Sequence, residues 1–358
     1  MTMQQIGMAA AALAVAMIVT LLTTPVVKNL AQKWGAVDVP KDNRRMHDHP
    51  IPRMGGLAIF FGFILSVVLF VPLDPQLQGM LLGAVMIVVL GIFDDIYALG
   101  AKLKFLVQIL AALVAVLAGN KIEVLSNPNV FSSNPYWELG WLSIPFTVIW
   151  VVAITNAVNL IDGLDGLAVG VSTISSMTLL VIALVVSEGK VALLMAALAG
   201  ACIGFMPYNI NPAKIFMGDT GSTFLGYVLA VVSIQGLFKF YTIISFAVPF
   251  LMLGLPLFDT CFAFIRRIAH GQSPMHADRS HVHHRLIDMG FSQKQAVAVL
   301  YVISAILGLS AVVLTTSGPL KAMLLLFALC VAGGVAARLF VTANGKKNTS
   351  QSEEDEES

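Results

Sequence analysis

The feature that most constrains this chain is a series of long apolar runs with very few charged side chains. Of its 358 residues, 58% are hydrophobic and 11% are charged, and the mean hydropathy is +0.86. An ordinary soluble domain carries about 25% charged residues. Runs of this length and apolarity are typical of helices that cross a lipid bilayer. The composition therefore predicts an all-α polytopic membrane protein and excludes disordered, collagen-like and disulfide-scaffold classes.

The apolar runs predict about eleven transmembrane helices. We expect them at 6–27, 54–72, 79–93, 105–119, 144–158, 167–187, 191–209, 221–237, 243–264, 295–315 and 321–341. Several are short for a bilayer, so they are expected to extend into flanking motifs or to be covered by neighbouring helices. Residues 1–343 are expected to form one membrane domain. The acidic segment 344–358 is expected to be a disordered cytoplasmic tail.

The basic residues predict the orientation of these helices. Of the 21 lysines and arginines, 17 fall in one alternating set of loops and segments and four fall in the other set. Because loops rich in basic residues stay in the cytoplasm, the N-terminus is expected outside and the C-terminus inside. All the polar clusters described below then lie at the cytoplasmic face. The net charge of +1 indicates no nucleic-acid partner.

Two adjacent aspartates, Asp94 and Asp95, end the third apolar run in the segment GIFDDIYALGAKLKF. On a helix they point about 100° apart, so they cannot serve one ligand in the same way. Carboxylates at membrane depth are costly and usually functional, which favours one near a metal and the other paired with a base. The alternative is a solvated helix end, complemented by Lys102 and Lys104.

Amide and carboxylate side chains recur at every third residue where the fifth run ends: Asn156, Asn159, Asp162 and Asp165. Such a row drifts around a regular helix, so the four can converge only if the helix loosens, which the neighbouring glycines permit. Oxygen ligands at an irregular helix end suit a hard divalent cation and a polar ligand. A capping or turn motif would explain only one of the four.

Asp219 lies between glycines in PYNINPAKIFMGDTGS, just before the eighth run. The start of that helix, around Gly218, Thr220, Gly221 and Ser222, is expected to offer free backbone N–H groups to a phosphate. An aspartate there would repel phosphate unless a cation intervened, which favours a metal-bridged phosphate. The alternative is an ordinary N-cap.

The loop IRRIAHGQSPMHADRSHVHHRLIDMGF holds five of the seven histidines, flanked by Arg279 and Arg285. The spacing superficially suggests zinc, but it lacks the thiols or ordered ligand pairs of a structural zinc site. Arginine and histidine together favour phosphate recognition. The basic first loop, PKDNRRMHDHPIPRMGG, is either a topogenic charge patch or a contact for anionic substrate or lipid. Asp259, inside the ninth run, is either buried with a partner or exposed to a cavity.

Together, these clusters predict metal-assisted phosphoryl transfer between a nucleotide-type diphosphate and a lipid substrate at the cytoplasmic face. The motifs HDHPIPRMGG, GIFDD, NAVNLIDGLDGLA, FMGDTGS and HADRSHVHHRL occur in this order. In this the chain resembles the polyprenyl-phosphate N-acetylhexosamine-1-phosphate transferases up to the acidic tail. The HADRSHVHHRL loop resembles the N-acetylglucosamine branch, which initiates teichoic acid, O-antigen or enterobacterial common antigen.

The resemblance implies transfer of GlcNAc-1-phosphate from UDP-GlcNAc to undecaprenyl phosphate, giving undecaprenyl-diphospho-GlcNAc and UMP. It implies Mg²⁺ as the cofactor, with Mn²⁺ as an alternative, and a site on the cytoplasmic face of a bacterial plasma membrane. A homodimer and a covalent phospho-aspartyl step are left open. Two alternatives are the same reaction with UDP-N-acetylmuramoyl-pentapeptide, and a transporter of a phosphorylated solute. A transporter should show inverted repeats with charge at the midplane, which the sequence lacks.

The resemblance also implies residue roles. Mg²⁺ is expected at Asn159 and Asp219, and Asp94 and Asp95 match the catalytic pair. Asp162 and Asp165 match nucleotide- and sugar-side carboxylates, and Phe216 matches a position that can stack on uracil. The expected sugar- and phosphate-binding loop comprises Arg279, His281, His283, His284 and Arg285.

Overall fold

Long helices dominate the computed structural model of the chain. The structure describes residues 2–40, 49–126, 136–236, 243–269 and 281–317, with six positions between 320 and 327. Its α-helices within these ranges are α1 (Met3–Lys33), α2 (Gly56–Phe70), α3 (Pro75–Tyr97), α4 (Ala101–Leu117), α5 (Ser143–Leu160), α6 (Leu167–Val185), α7 (Gly189–Asn209), α8 (Gly218–Gly236), α9 (Ile243–Met252), α10 (Gly254–Ala269), α11 (Val282–Asp288) and α12 (Gln293–Ser317). A 3₁₀ turn, Gly140–Leu142, precedes α5.

Four very short strands form two antiparallel pairs outside the helices. Strand β1 (Val37–Asp38) pairs with β2 (Ile51–Pro52), and β3 (Val124–Ser126) pairs with β4 (Tyr136–Glu138). The sequence does not predict these strands, because runs of two or three residues are too short to show an alternating pattern. They connect helices and leave the all-α architecture unchanged.

The protein is a multi-pass membrane protein. In the described part of the chain, six helices are long and apolar enough to cross a membrane: Met3–Lys33, Pro75–Tyr97, Gly140–Leu160, Leu167–Val185, Gly189–Asn209 and Gln293–Ser317. Helix α2 is apolar but shorter. The count of eleven and the placement of the termini stay predictions, and most of the eleventh span and the whole acidic tail lie outside the described residues.

The ninth predicted span, 243–264, is two helices rather than one. Helix α9 ends at Met252, Leu253 is a buried break, and α10 begins at Gly254. Pro256 explains the break, because it has no N–H to donate to the carbonyl of Met252 four residues earlier.

Helix α8 lies at the centre of the bundle. Every residue of it except Asp219 is buried, and it packs on α3 and α5. Helices α2 and α3 approach it closely: a Cβ on Gly56 would overlap the backbone of Gly221, and a Cβ on Gly91 would overlap that of Thr220. Small residues that let backbones touch are typical of packing between membrane helices.

The two ends of the bundle carry different polar groups. At one end the Lys190 ammonium pairs with Asp74 at 2.7 Å, and the amide of Gln235 donates to the Asn120 side chain at 2.6 Å. These bonds join the starts of α3 and α7 and the ends of α4 and α8. The opposite end therefore holds the end of α3, the starts of α4 and α8, and the polar motifs singled out in the sequence.

Candidate active site

Asp95, at the end of α3, caps the first turn of α8. Its buried carboxylate accepts hydrogen bonds from the Asp219 amide at 3.0 Å and from the amide and hydroxyl of Thr220 at 3.1 and 2.7 Å. Gly218 has a φ of +71°, and a Cβ there would overlap the Asp95 carboxylate, so this turn requires glycine. Asp95 thus satisfies N–H groups that a helix start leaves without partners.

This capping corrects one expectation from the sequence. The start of α8 is predicted to offer free N–H groups to a phosphate, but the amides of Asp219 and Thr220 are bound to Asp95. The expectation of free N–H groups is therefore wrong for Thr220, and for Gly218, Gly221 and Ser222 it stays a prediction. The physical reason is that α3 brings its own anion to the positive end of α8.

Lys104 joins the other member of the aspartate pair to Asp219. Its Nζ lies 3.1 Å from Oδ2 of Asp94 and 2.7 Å from Oδ2 of Asp219. The other oxygen of Asp94 accepts from the Leu99 amide at 2.8 Å. Ala98, with a φ of 51°, ends α3 and turns the chain into α4, which returns Lys104 to the carboxylates. The adjacent aspartates thus have different partners, as their spacing on the helix predicts, while a metal near one of them stays a prediction.

Arg53 is the second basic group of the site. Its Nε lies 3.5 Å from Oδ1 of Asp95, and its Nη2 lies 4.0 Å from Oδ1 of Asp219. Burial opposes its charge, but Asp95, Asp219 and other carboxylates outweigh this and raise the pKa of Arg53 above its usual value. The sequence leaves the loop of Arg53 open between a topogenic patch and an anion contact, and neither alternative includes this pairing with carboxylates.

A backbone ladder positions both Arg53 and Phe216. The Phe216 amide donates to the Pro52 carbonyl at 2.8 Å, and its carbonyl accepts from the Gly55 amide at 2.9 Å. Met54, fully buried, has a φ of 77° between these two bonds. The ladder holds Phe216 just before α8, half-buried at the edge of the site. Stacking of Phe216 on uracil stays a prediction.

The four polar residues after the fifth run separate rather than converge. Asn156 donates to Gln108 on α4 at 2.6 Å, and Asn159 donates to the Ser222 hydroxyl on α8 at 2.8 Å. Asp165 accepts hydrogen bonds from the Asn211 side chain and from the backbone amide of Ala213, each at 3.0 Å. Only Asn159 is thereby placed against the first turn of α8, where Asp219 lies.

Asp162, in the turn after α5, is close enough to the cluster to be affected by its charge. Burial, and then the negative charge of Asp219, raise the pKa of Asp162 to about 8. Its carboxyl group is therefore largely protonated at neutral pH and can donate a hydrogen bond. A cation that reached this group would favour its ionised form.

Helix α11 and its N-cap carry three histidines, His281, His283 and His284, which we call the histidine row. The helix lies against the turn that contains Asp162. A Cβ on Gly163 would overlap the ring of His283, and the His283 ring centroid lies 4.3 Å from that of His284. Burial, and then the charge of His284, lower the pKa of His283 to about 4, so the ring is neutral at pH 7. The other buried histidine of the row, His281, pairs with Asp259 at 2.8 Å, so Asp259 is buried with a partner.

The basic residues of the histidine loop are placed differently from the row. The exposed guanidinium of Arg285 lies 5.3 Å from the ring centroid of Phe262 on α10. Arg279 lies outside the described residues. Within those residues no group of three or more His, Cys, Asp or Glu side chains could hold a metal ion, so the zinc alternative gains no support from His281, His283 and His284.

Comparisons with known proteins show the family to which this chain belongs. The model of glycosyl transferase family 4 matches residues 77–237. A probable undecaprenyl-phosphate N-acetylglucosaminyl 1-phosphate transferase of Bacillus subtilis (strain 168) is 45% identical over 339 residues, which are 93% of each chain. The chain belongs to the polyprenyl-phosphate N-acetylhexosamine-1-phosphate transferase family.

Two further relatives of this enzyme family match less strongly. A decaprenyl-phosphate N-acetylglucosaminephosphotransferase of Mycolicibacterium smegmatis is 35% identical, over 80% of this chain and 77% of its own. An undecaprenyl-phosphate alpha-N-acetylglucosaminyl 1-phosphate transferase of Thermotoga maritima is 32% identical, over 75% and 78%. The family and the N-acetylglucosamine branch predicted from the motifs are confirmed. Neither the pentapeptide nor the transporter alternative is favoured.

Of the twelve residues that the family motifs single out, the structure brings five together. Asp94, Asp95 and Asp219 form one cluster, with Asn159 and Asp162 beside it. The cluster also contains Arg53 and Lys104, to which the resemblance assigns no role. A lysine nine positions after an aspartate pair, just past a helix end, was the available signal for Lys104.

Proposed function

We propose that the protein transfers GlcNAc-1-phosphate from UDP-GlcNAc to undecaprenyl phosphate, giving undecaprenyl-diphospho-GlcNAc and UMP. The site would lie on the cytoplasmic face of a bacterial plasma membrane. The observation that carries the proposal is the cluster of Asp94, Asp95 and Asp219 with Lys104 and Arg53 at one end of an apolar bundle. Such a cluster lets a lipid phosphate in the membrane meet a water-soluble diphosphate.

The charges of the cluster fit a divalent cation. Among the described residues, three carboxyl groups (Asp94, Asp95 and Asp219) lie near two basic groups, and the largely protonated Asp162 lies beside them. A diphosphate would be repelled from this excess of acid unless a cation came with it. Mg²⁺ is usually held by one or two carboxylates together with substrate phosphates and water, which suits Asp219 with the Asn159 amide oxygen. When bound, Mg²⁺ would neutralise charge on the diphosphate.

The proposed reaction is an in-line displacement. An oxygen of the lipid phosphate attacks the phosphorus that carries the sugar, and the bond from this phosphorus to the bridging oxygen breaks, so that UMP leaves. A phosphate monoester has a second pKa near 6, so the attacking oxygen is mostly ionised at neutral pH and needs positioning more than a strong base. Asp94 and Lys104 would position it, and Arg53 would stabilise charge on the transferred phosphate.

The direct test is an assay of the purified full-length protein. With UDP-GlcNAc, undecaprenyl phosphate and Mg²⁺, we expect equimolar UMP and undecaprenyl-diphospho-GlcNAc. We expect no product after EDTA treatment and recovery on addition of Mg²⁺ or Mn²⁺. UDP-N-acetylmuramoyl-pentapeptide serves as the comparison substrate. Turnover of that substrate alone, or of UDP-GlcNAc without a lipid acceptor, would contradict the proposal.

The proposed orientation makes a separate prediction. Lys190 lies at the end of the bundle opposite the aspartate cluster, and Lys121 follows the end of α4 on the same side. A reporter fused after Lys121 or Lys190 is expected outside the cell, and one fused within 272–280 is expected in the cytoplasm. Finding all three on one side would disprove the orientation and the cytoplasmic site.

A further inference from the structure

Helix α11 has no N-cap of its own. His281 stands at the capping position with a φ of −62° and a ψ of 150°, but its side chain makes no capping bond. The amide of Val282 instead donates to Oδ1 of Asp259 at 2.8 Å. Asp259 is 23 residues earlier in the chain, on α10. The start of α11 is therefore stabilised by another helix rather than by its local sequence.

The same carboxylate also fixes the first histidine of the row. Its Oδ2 lies 2.8 Å from Nδ1 of His281, and both side chains are buried, with 4% and 8% exposed. A carboxylate beside Nδ1 favours a proton on that nitrogen and sets the orientation of the ring. The His281 ring lies parallel to that of His283, with 5° between their planes and 5.7 Å between their centroids.

A second contact fixes α11 from the opposite side. The ring of His283 packs directly on Gly163, in the turn that also contains Asp162, and even a methyl group on Gly163 would overlap it. No positive φ constrains Gly163, so the absence of a side chain there serves this close approach. Asp259 and Gly163 thus hold α11 between α10 and the 161–166 turn.

We propose that Asp259 is a positioning residue that fixes α11 and its histidine row against the 161–166 turn and thereby sets the affinity for the sugar nucleotide. This inference rests on the proposed function. Among the described residues, the two carboxylate oxygens of Asp259 are bonded to Val282 and His281, so Asp259 acts through the start of α11. Asparagine at 259 would keep the size but offer one acceptor oxygen for two donors.

The test combines amide exchange with kinetics on the full-length protein. In Asp259→Asn, hydrogen exchange of residues 282–288 is expected to rise about tenfold, while exchange in α6 stays unchanged. The KM for UDP-GlcNAc is expected to rise by about tenfold, with kcat and the KM for undecaprenyl phosphate within about threefold of wild type. Gly163→Ala, which displaces His283 from the other side, is expected to give the same pattern.

Matched controls separate positioning from general destabilisation. Asp74→Asn alters a capping aspartate at the other end of the bundle, and Gly7→Ala adds a methyl group where nothing lies within 4 Å. Neither is expected to change the exchange of 282–288 or either KM. Unchanged exchange in Asp259→Asn would overturn the inference, as would faster exchange with both KM values unchanged. If the wild-type protein releases no UMP, the proposed function is wrong, and so is the proposed effect of Asp259 on the affinity for the sugar nucleotide. The exchange result still shows whether Asp259 fixes α11.

Discussion

Replacing Asp219 with asparagine is expected to lower kcat by about a thousandfold. The change keeps the shape of the side chain and the hydrogen bond from the backbone amide of residue 219 to Asp95. It removes the negative charge that pairs with Lys104 at 2.7 Å and that would bind Mg²⁺. The measurement is UMP release at saturating Mg²⁺ and both substrates. Thermal unfolding of the same preparation should stay close to wild type, because the bonds that hold the start of α8 are retained.

The control for this variant is Asp74→Asn, since Asp74 also begins a helix and pairs with a lysine but lies at the opposite end of the bundle. Its turnover is expected to match wild type. Activity of Asp219→Asn within about threefold of wild type would show that Asp219 is not a metal ligand on which turnover depends.

The second large effect concerns the two adjacent aspartates, which we expect to fail in different ways. Asp95→Ala leaves the Thr220 hydroxyl and two backbone amides without their acceptor inside the bundle. Loss of these charge-assisted bonds is expected to lower the free energy of unfolding by about 3 kcal/mol or more. Thermal unfolding in detergent should show this as a lower Tm, together with lost activity.

Asp94→Asn is the matched comparison for this experiment. Asparagine can still accept from the Leu99 amide, so the Tm is expected to stay near that of wild type, while kcat falls because the charge facing Lys104 is lost. The opposite pattern, with a wild-type Tm for Asp95→Ala and a lowered Tm for Asp94→Asn, would mean that Asp95 is the residue that contacts substrate. Asp94 would then be the structural member of the pair.

The sequence could predict which motifs share a site, but it could not predict their partners. Asp94, Asp95 and Asp219 are recognisable because carboxylates next to apolar runs are rare and because alternating loops place them at one end. That Asp95 binds the start of α8 depends on how α3 and α8 pack, which no local pattern encodes. For the same reason the amides of α8 looked free for phosphate when their acceptor was 124 residues away.

Local chemistry explains two other differences between sequence and structure. The row from Asn156 to Asp165 could converge only if the helix loosened, and α5 does end at Leu160, yet the side chains turn to separate partners. An irregular helix end permits convergence but does not specify it. Gly254 and Pro256, which follow the break at Leu253, could have signalled the division into α9 and α10, but a continuous apolar run conceals a break of one residue.

The central position of α8 also bears on how the chain enters the bilayer during synthesis. Within its described length, Gly218–Gly236, it is not among the helices that are apolar enough to cross a membrane alone, although nearly all of it is buried. Transfer of such a segment from the translocon into lipid lowers its free energy only slightly. Helices α2, α3 and α5, whose surfaces receive it, are made earlier by the ribosome. We therefore expect α8 to leave the translocon directly into a groove formed by the helices synthesised before it, so that it contacts protein rather than lipid.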